Sequence, residues 1–373
     1  MRVRSSIAAV VMTALLVAAC QQGGGGAGLR IGVVTDVGSV NDKNFNEYTY
    51  KGANDGATAV GAPNAGNLPV SVPATDADYV PVIQSYVDQD FNVIVTTGFN
   101  LTNPTTTQAK ANPETWFIGV DHAPCINAAG DLDTTFTDCS GDLAQLYPKY
   151  VALNYAEDQA GYLAGMVAAS ASESDIIGAI GGISLCAPCI RYIQGYVLGA
   201  KAVNPDITVK VAWVTDSDFV KGFFDQAGGK TFANQFIQQN PGIDVLFQVA
   251  GQTGNGVIDA ACEGGISAVG VDVDQYQSYP ASQPCILTSA EKHLAVSVAE
   301  SIKQIAAGTA KGGLTFFNAS NDGIGVSPFY EAASKLPSDM QAQLDTALEG
   351  IKDGSIDTCP DNCGAVPAPP IGD

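Results

Sequence analysis

Basic residues are scarce in this chain: 17 Lys and Arg stand against 38 Asp and Glu, a formal net charge of −21 at pH 7. A surface of that sign repels phosphate backbones and anionic lipid heads, which excludes nucleic acid as a partner. Histidine is scarcer still, with only His122 and His293, far apart in sequence. There is no His-Glu-x-x-His motif, no P-loop, no Gly-x-Ser-x-Gly elbow and no histidine beside a suitable nucleophile. No enzyme and no cofactor are expected. Beyond the first twenty residues there is no long apolar run, so the body of the chain is not expected to cross a membrane.

What is present begins with a targeting segment. Arg2 and Arg4 form a positive start, and residues 7–19 are apolar or small apart from Thr13. The run is short of the roughly 20 apolar residues of a spanning helix and fits a secretory signal peptide over 1–19. It ends in Val17-Ala18-Ala19-Cys20, which resembles a bacterial lipobox, so Cys20 is expected to become an acylated N-terminus. Residues 20–28 then read as the lipidated cysteine and a glycine-rich tether. The expected location is the extracytoplasmic face of the cell membrane, lipid-anchored.

Cysteine use agrees with export. Besides Cys20 there are Cys125, Cys139, Cys186, Cys189, Cys262, Cys285, Cys359 and Cys363. An even number in an exported chain suggests disulfides. Pairing near neighbours (125 with 139, 186 with 189, 262 with 285, 359 with 363) is the simplest of roughly a hundred connectivities. The Cys186-Ala187-Pro188-Cys189 spacing also suits half of a zinc site or a redox pair, but a zinc site needs a second close ligand pair. No metal site is expected.

Strand and helix signals alternate along the rest. Buried strands are predicted at 29–35, 68–72, 92–97 and 116–120, with helices at 44–60, 78–89 and 157–171. Gly161 and Gly165 in the last helix permit close packing on a sheet. The pattern restarts with strands at 176–180, 208–214, 245–249 and 268–271 and helices at 191–203, 230–240, 254–262 and 291–307. Such alternation implies an α/β protein with two doubly wound parallel-sheet lobes. The predicted first lobe takes 29–150 plus about 285–315, and the second takes 151–284 plus about 316–356. Residues 357–373 form an irregular tail. A soluble ligand then belongs in the cleft between the lobes, at the C-terminal strand ends.

Those strand ends carry acids. Asp36 follows the first strand, and Asn41, Asp42, Asn44, Phe45 and Asn46 come next, at a helix start where polar side chains often cap free amides. Phe45 there is either a local staple or a stacking platform. Asp121 closes Gly119-Val120-Asp121 and Asp272 closes Gly270-Val271-Asp272, one from each half. Paired carboxylates facing one cleft suit acceptors for ligand N–H or O–H groups, and glycosidases also use such pairs. The glycine-rich 249–256 stretch suits a tight turn with close backbone approach to a ligand.

TDVGSVNDKNFN at 35–46, GYLAGMVAA at 161–169, FFDQAGGKTFA at 223–233, AGQTGNGV at 250–257 and GVDVDQ at 270–275 together resemble the basic membrane protein family. Its members are PnrA-like substrate-binding lipoproteins of ABC importers, of the purine nucleoside receptor type. The resemblance implies a type I periplasmic-binding fold, hinge closure on a nucleoside such as guanosine, inosine or adenosine, and ABC permease partners. It places Phe45 and Phe224 on the two faces of the base, with Phe223 as a substitute for Phe224. It puts Asp36, Asn46 and Asp121 on the base edge and Gly251, Asp272 and Lys292 on the ribose. Ser39, Asn44 and Gln252 depart from the family pattern, and the cysteines lie outside it. The alternatives are another small hydroxylated ligand such as a sugar, or a surface sensor or interaction lipoprotein.

Overall fold

The computed structural model describes residues 28–36, 38–360, 363–366, 368 and 371. The expected signal peptide and Cys20 lie outside the described residues. Among them, no helix is long and apolar enough to cross a membrane.

The first half of the chain forms β1 (Ile31–Thr35), α1 (Phe45–Ala59), β2 (Val70–Ser71), α2 (Tyr79–Asp88), β3 (Val93–Thr97), α3 (Thr102–Ala111), β4 (Trp116–Val120), α4 (Leu143–Leu146) and β5 (Tyr150–Tyr155). The second half forms α5 (Glu157–Ala171), β6 (Ile176–Ile183), α6 (Ala187–Val203), β7 (Thr208–Thr215), α7 (Phe219–Phe223), α8 (Gln226–Gln239), β8 (Val245–Val249), α9 (Gly251–Glu263), β9 (Ser267–Asp272), α10 (Gln275–Ser278) and β10 (Ile286–Lys292). The chain ends with α11 (Leu294–Ala307), β11 (Gly313–Phe317), β12 (Ile324–Val326) and α12 (Met340–Asp353).

Two sheets result, with strand orders β11-β5-β4-β3-β1-β2 and β12-β10-β9-β8-β6-β7. All neighbours pair in parallel except β10 with β12. Strands β1, β3 and β8 are buried at every residue. Runs such as Ile31–Thr35 and Val93–Thr97 are β-branched and apolar on both faces, as a sheet covered by helices on both sides requires. The two-lobed α/β architecture expected from the alternation is what forms.

The lobes are laced together three times. The chain crosses between β5 and α5, between β10 and α11, and after β11. Helix α11 packs on α1 of the first lobe, and α12 packs on α5 of the second. Two boundaries therefore differ from the sequence reading. Strand β5 belongs to the first sheet, where it pairs with β4 and β11. Strand β10 belongs to the second, because it pairs with β9 before the chain crosses back. Residues 291 and 292 accordingly end a strand rather than begin a helix. Gly161 and Gly165 do allow close packing, but on helix α6 and not on a sheet. A Cβ at these positions would lie 2.1 Å from the Tyr192 carbonyl oxygen and 2.0 Å from that of Tyr196.

All four disulfides are the near-neighbour pairs, Cys125–Cys139, Cys186–Cys189, Cys262–Cys285 and Cys359–Cys363. The tail is pinned as well as cross-linked: Gly364 N donates to Gln194 Oε1 at 2.8 Å and Ala368 N to the Ser184 carbonyl at 2.7 Å.

Candidate functional site

In each sheet, the strand order reverses at one point, between β1 and β3 in the first and between β6 and β8 in the second. Loops leaving a sheet at such a point diverge and open a crevice. Both crevices feed one cavity with about 610 Å³ of empty space, its open mouth included. Asp36, Gly98 and Phe99 enter from the first reversal, and Cys186, Cys189, Val249 and Gly251 from the second. Phe45, Asn46, Asp121, Phe224, Asp272 and Lys292 also line it, with Asp42, Tyr192, Phe219 and Phe223 among their neighbours in the wall.

Asp121 and Asp272 occupy equivalent places in the two lobes, each at the end of the strand one beyond the reversal pair. Both are left-handed, with φ of 61° and 64°. Aspartate tolerates this conformation better than most residues, and residues held in it cluster at binding sites. Asp121 Oδ1 and Asn46 Oδ1 are buried, and among the described residues neither has a hydrogen-bond partner. Asp36 accepts a hydrogen bond from Tyr79 Oη.

Lys292 is the hub. It closes β10, and its Nζ lies 2.7 Å from Asp121 Oδ2, 3.0 Å from Glu157 Oε1 and 3.8 Å from Asp272 Oδ1. The ammonium also lies 5.4 Å from the ring centres of Phe45, Tyr155 and Tyr192. Glu157 in turn binds Arg191 Nε at 2.6 Å. Burial pushes both Asp121 and Asp272 up to about 6, against the pull of Lys292. Burial acts the same way on Glu157, but Arg191 and Lys292 outweigh it and hold that carboxyl below its usual range. Burial disfavours the Lys292 cation, yet its three carboxylates win and raise its pKa.

The aromatic part of the wall comes from both lobes. Phe99 of the first lobe meets Phe219 and Phe223 of the second edge-on, with ring centres 5.8 and 6.4 Å apart. Phe224 lies over Gly38, where a Cβ would come within 1.8 Å of the ring. Only glycine lets the first-lobe loop pass so close under a second-lobe ring.

The sequence profile described as ABC transporter substrate-binding protein PnrA-like, that of the Bmp family, matches residues 30–356. The chain belongs to the Bmp family. This Bmp protein is thus a substrate-binding protein of an ABC transporter and not an enzyme, with a small-molecule ligand and permease partners on the extracytoplasmic side. The ABC transporter nucleoside-binding protein BmpA of Lactococcus lactis subsp. cremoris is 29% identical over 233 residues. That match spans 62% of this chain and 58% of the relative, less than two thirds of its length. Among solved structures, a solute-binding protein of an ABC transporter system from Aeropyrum pernix K1 superposes with a TM-score of 0.72 at 22% identity, covering 89% of this chain and 94% of that one. An ABC transporter solute-binding protein from Burkholderia graminis, solved with D-arabinose, reaches 0.55 at 15% identity, covering 83% and 98%. Both likenesses are of fold.

All eight residues singled out from the sequence of this Bmp protein, Asp36, Phe45, Asn46, Asp121, Phe224, Gly251, Asp272 and Lys292, line the one cavity. Phe223 and Phe224 both line it. The glycine-rich stretch is not a free turn but the first two turns of α9. Sequence reasoning missed Glu157, Tyr192, Phe99 and Phe219. Phe99 lies two residues beyond the end of β3, past Gly98, and that place at a C-terminal strand end is the signal that could have found it.

Proposed function

We propose that this protein captures a purine nucleoside between its lobes and presents it to an ABC permease. The observation that carries this reading is the cavity wall itself. Among the described residues, Asn46 Oδ1 and Asp121 Oδ1 have no hydrogen-bond partner, in a pocket with phenyl rings from both lobes. A purine has N–H donors on its edge and two flat faces, and stacking on an aromatic ring contributes about 1–3 kcal/mol per base. Asp36, Asn46 and Asp121 would take the base edge, and Phe45 and Phe224 its faces. Gly251 and Asp272 would take the ribose, with Lys292 beside them holding the acids in place. A nucleoside-binding relative points the same way.

Titration calorimetry against guanosine, inosine, adenosine, guanine, D-ribose and D-arabinose tests the proposal. Ribonucleosides are expected to bind and the free sugars not to. Phe45→Ala should weaken guanosine by about 1–3 kcal/mol with the fold intact. Binding of arabinose or ribose with no response to any nucleoside would overturn the reading in favour of a sugar receptor.

The same proposal has the protein held at the membrane by an acylated Cys20. Cys20→Ser is expected to leave the precursor unprocessed or to shift the protein from the detergent phase to the aqueous phase. An unchanged partition of that variant would remove the anchor.

A further inference from the structure

Asn255 and Gln275 sit within AGQTGNGV and GVDVDQ, yet neither lines the cavity. Both are buried, at 2% and 0% exposure, together with Gln248 at 0%. The three amides form a chain. Gln248 Nε2 donates to Gln275 Oε1 at 2.6 Å, and Gln275 Nε2 donates to Asn255 Oδ1 at 2.9 Å. Main-chain N–H groups of Ala250 and Val271 donate to the oxygens of Gln248 and Gln275 and so fix which way each amide faces. With its oxygen taken, Asn255 must turn its Nδ2 outward. That group crosses to the first lobe and donates to the Asp42 carbonyl at 2.9 Å. One residue on, Ser278 Oγ donates to the Lys43 carbonyl at 2.7 Å.

Two second-lobe side chains thus grip consecutive first-lobe carbonyls. The gripped segment also sets the ligand wall. The Asp42 carboxylate accepts from the backbone amides of Asn44, Asn46 and Glu47, and so caps α1. Phe45 and Asn46 are the first residues of that helix.

We propose that Asn255, oriented by Gln275 and Gln248, and Ser278 form the latch of the closed cleft. Asn255 is a positioning residue: it fixes the α1 cap, and through it Phe45 and Asn46, against the ligand. The proposal rests on the reading of the cleft as the ligand site. Because the latch forms on closure and does not touch the ligand, it acts on dissociation and not on encounter.

The test uses the full mature chain with guanosine as probe, read by stopped-flow kinetics, and small-angle scattering of the ligand-free protein. Asn255→Asp keeps the size and the acceptor for Gln275 but removes the donor. Losing that bond and stranding a buried carbonyl should speed guanosine release about tenfold, with association within about twofold. Ser278→Ala, outside the buried amide chain, should speed it about threefold and decides the matter if Asn255→Asp fails to fold. Both variants should show a larger radius of gyration than the parent without ligand. Unchanged release and unchanged scattering would overturn the latch. So would slower association with unaltered release. A parent that binds no guanosine would defeat the nucleoside reading alone, with scattering left to decide the latch.

Discussion

Lys292→Met is expected to lower the unfolding free energy by about 3–5 kcal/mol at pH 7.5, the range for stripping one partner from a buried ion cluster. Lys292 is 4% exposed and neutralises acids from both lobes: Asp121 from the first, Glu157 and Asp272 from the second. Without it, the cation left beside these acids among the described residues is Arg191, paired with Glu157. The deficit should depend on pH. Asp121 and Asp272 already sit at about 6 in the folded protein, above their ordinary 3.8. A group raised in this way favours folding fully below its unfolded value, and that contribution is lost as pH rises through the folded value. Removing the lysine raises both further, so the deficit should shrink as pH falls from 8 to 5. Glu157 has the opposite sign, its pKa being lowered below the ordinary 4.5. Its contribution is lost only at still lower pH, outside the window measured. Urea unfolding at pH 5 and 8 is the measurement. A variant within about 1 kcal/mol of the parent at pH 8 would show that the lysine is not what makes these acids tolerable.

The second large effect is one of selectivity. Asp272→Ala should cost guanosine about 2–4 kcal/mol of binding, from the loss of charge-assisted bonds to the ribose hydroxyls, and cost guanine less than about 1 kcal/mol. The fold should survive, because Lys292 keeps Asp121 and Glu157 as nearer partners. Guanosine affinity of the parent should also fall as pH drops below about 6, where Asp121 and Asp272 take up protons and surrender an acceptor. Ligand-free stability should move the other way over the contribution of these two groups. Calorimetry at pH 5.5 and 7.5 reads both. Equal losses for guanosine and guanine would place Asp272 away from the sugar.

The strands that could be read were those whose own residues announce them. Ile31–Thr35 and Val93–Thr97 are short buried runs, and the two Gly-Val-Asp sequences mark where strands open onto the cleft. Acids at such ends are visible because the fold puts ligands there. Lys292 was recognised by resemblance, but its strand was not. The amphipathic repeat of Leu294–Ala307 extends backward through residue 291, and short apolar segments do not distinguish helix from strand. Glu157 gave no signal of its partnership. An acid in the first turn of a helix is what the helix dipole alone would favour, so its pairing with Lys292 is invisible until the chain is folded. Asn255 and Gln275 were hidden for the same reason: an amide chain built from three separate segments has no local period. Disulfide pairing was legible because each pair closes a short loop.

The three crossings between the lobes also govern how the protein can be made. A nascent chain that has reached β10 owns every parallel strand of the second sheet, but its first lobe is unfinished. Strand β5 still has a bare edge where β11 will pair, and α1 lacks α11 across its buried face. An unpaired strand edge beside uncovered apolar surface invites association with other chains. The first lobe, synthesised first, therefore keeps that edge and that face uncovered until residues 294–317 arrive, and the second lobe is finished later still, when β12 and α12 are added. For the same reason, no single cut releases either lobe intact, and exchanging cleft halves between relatives requires three splice points rather than one.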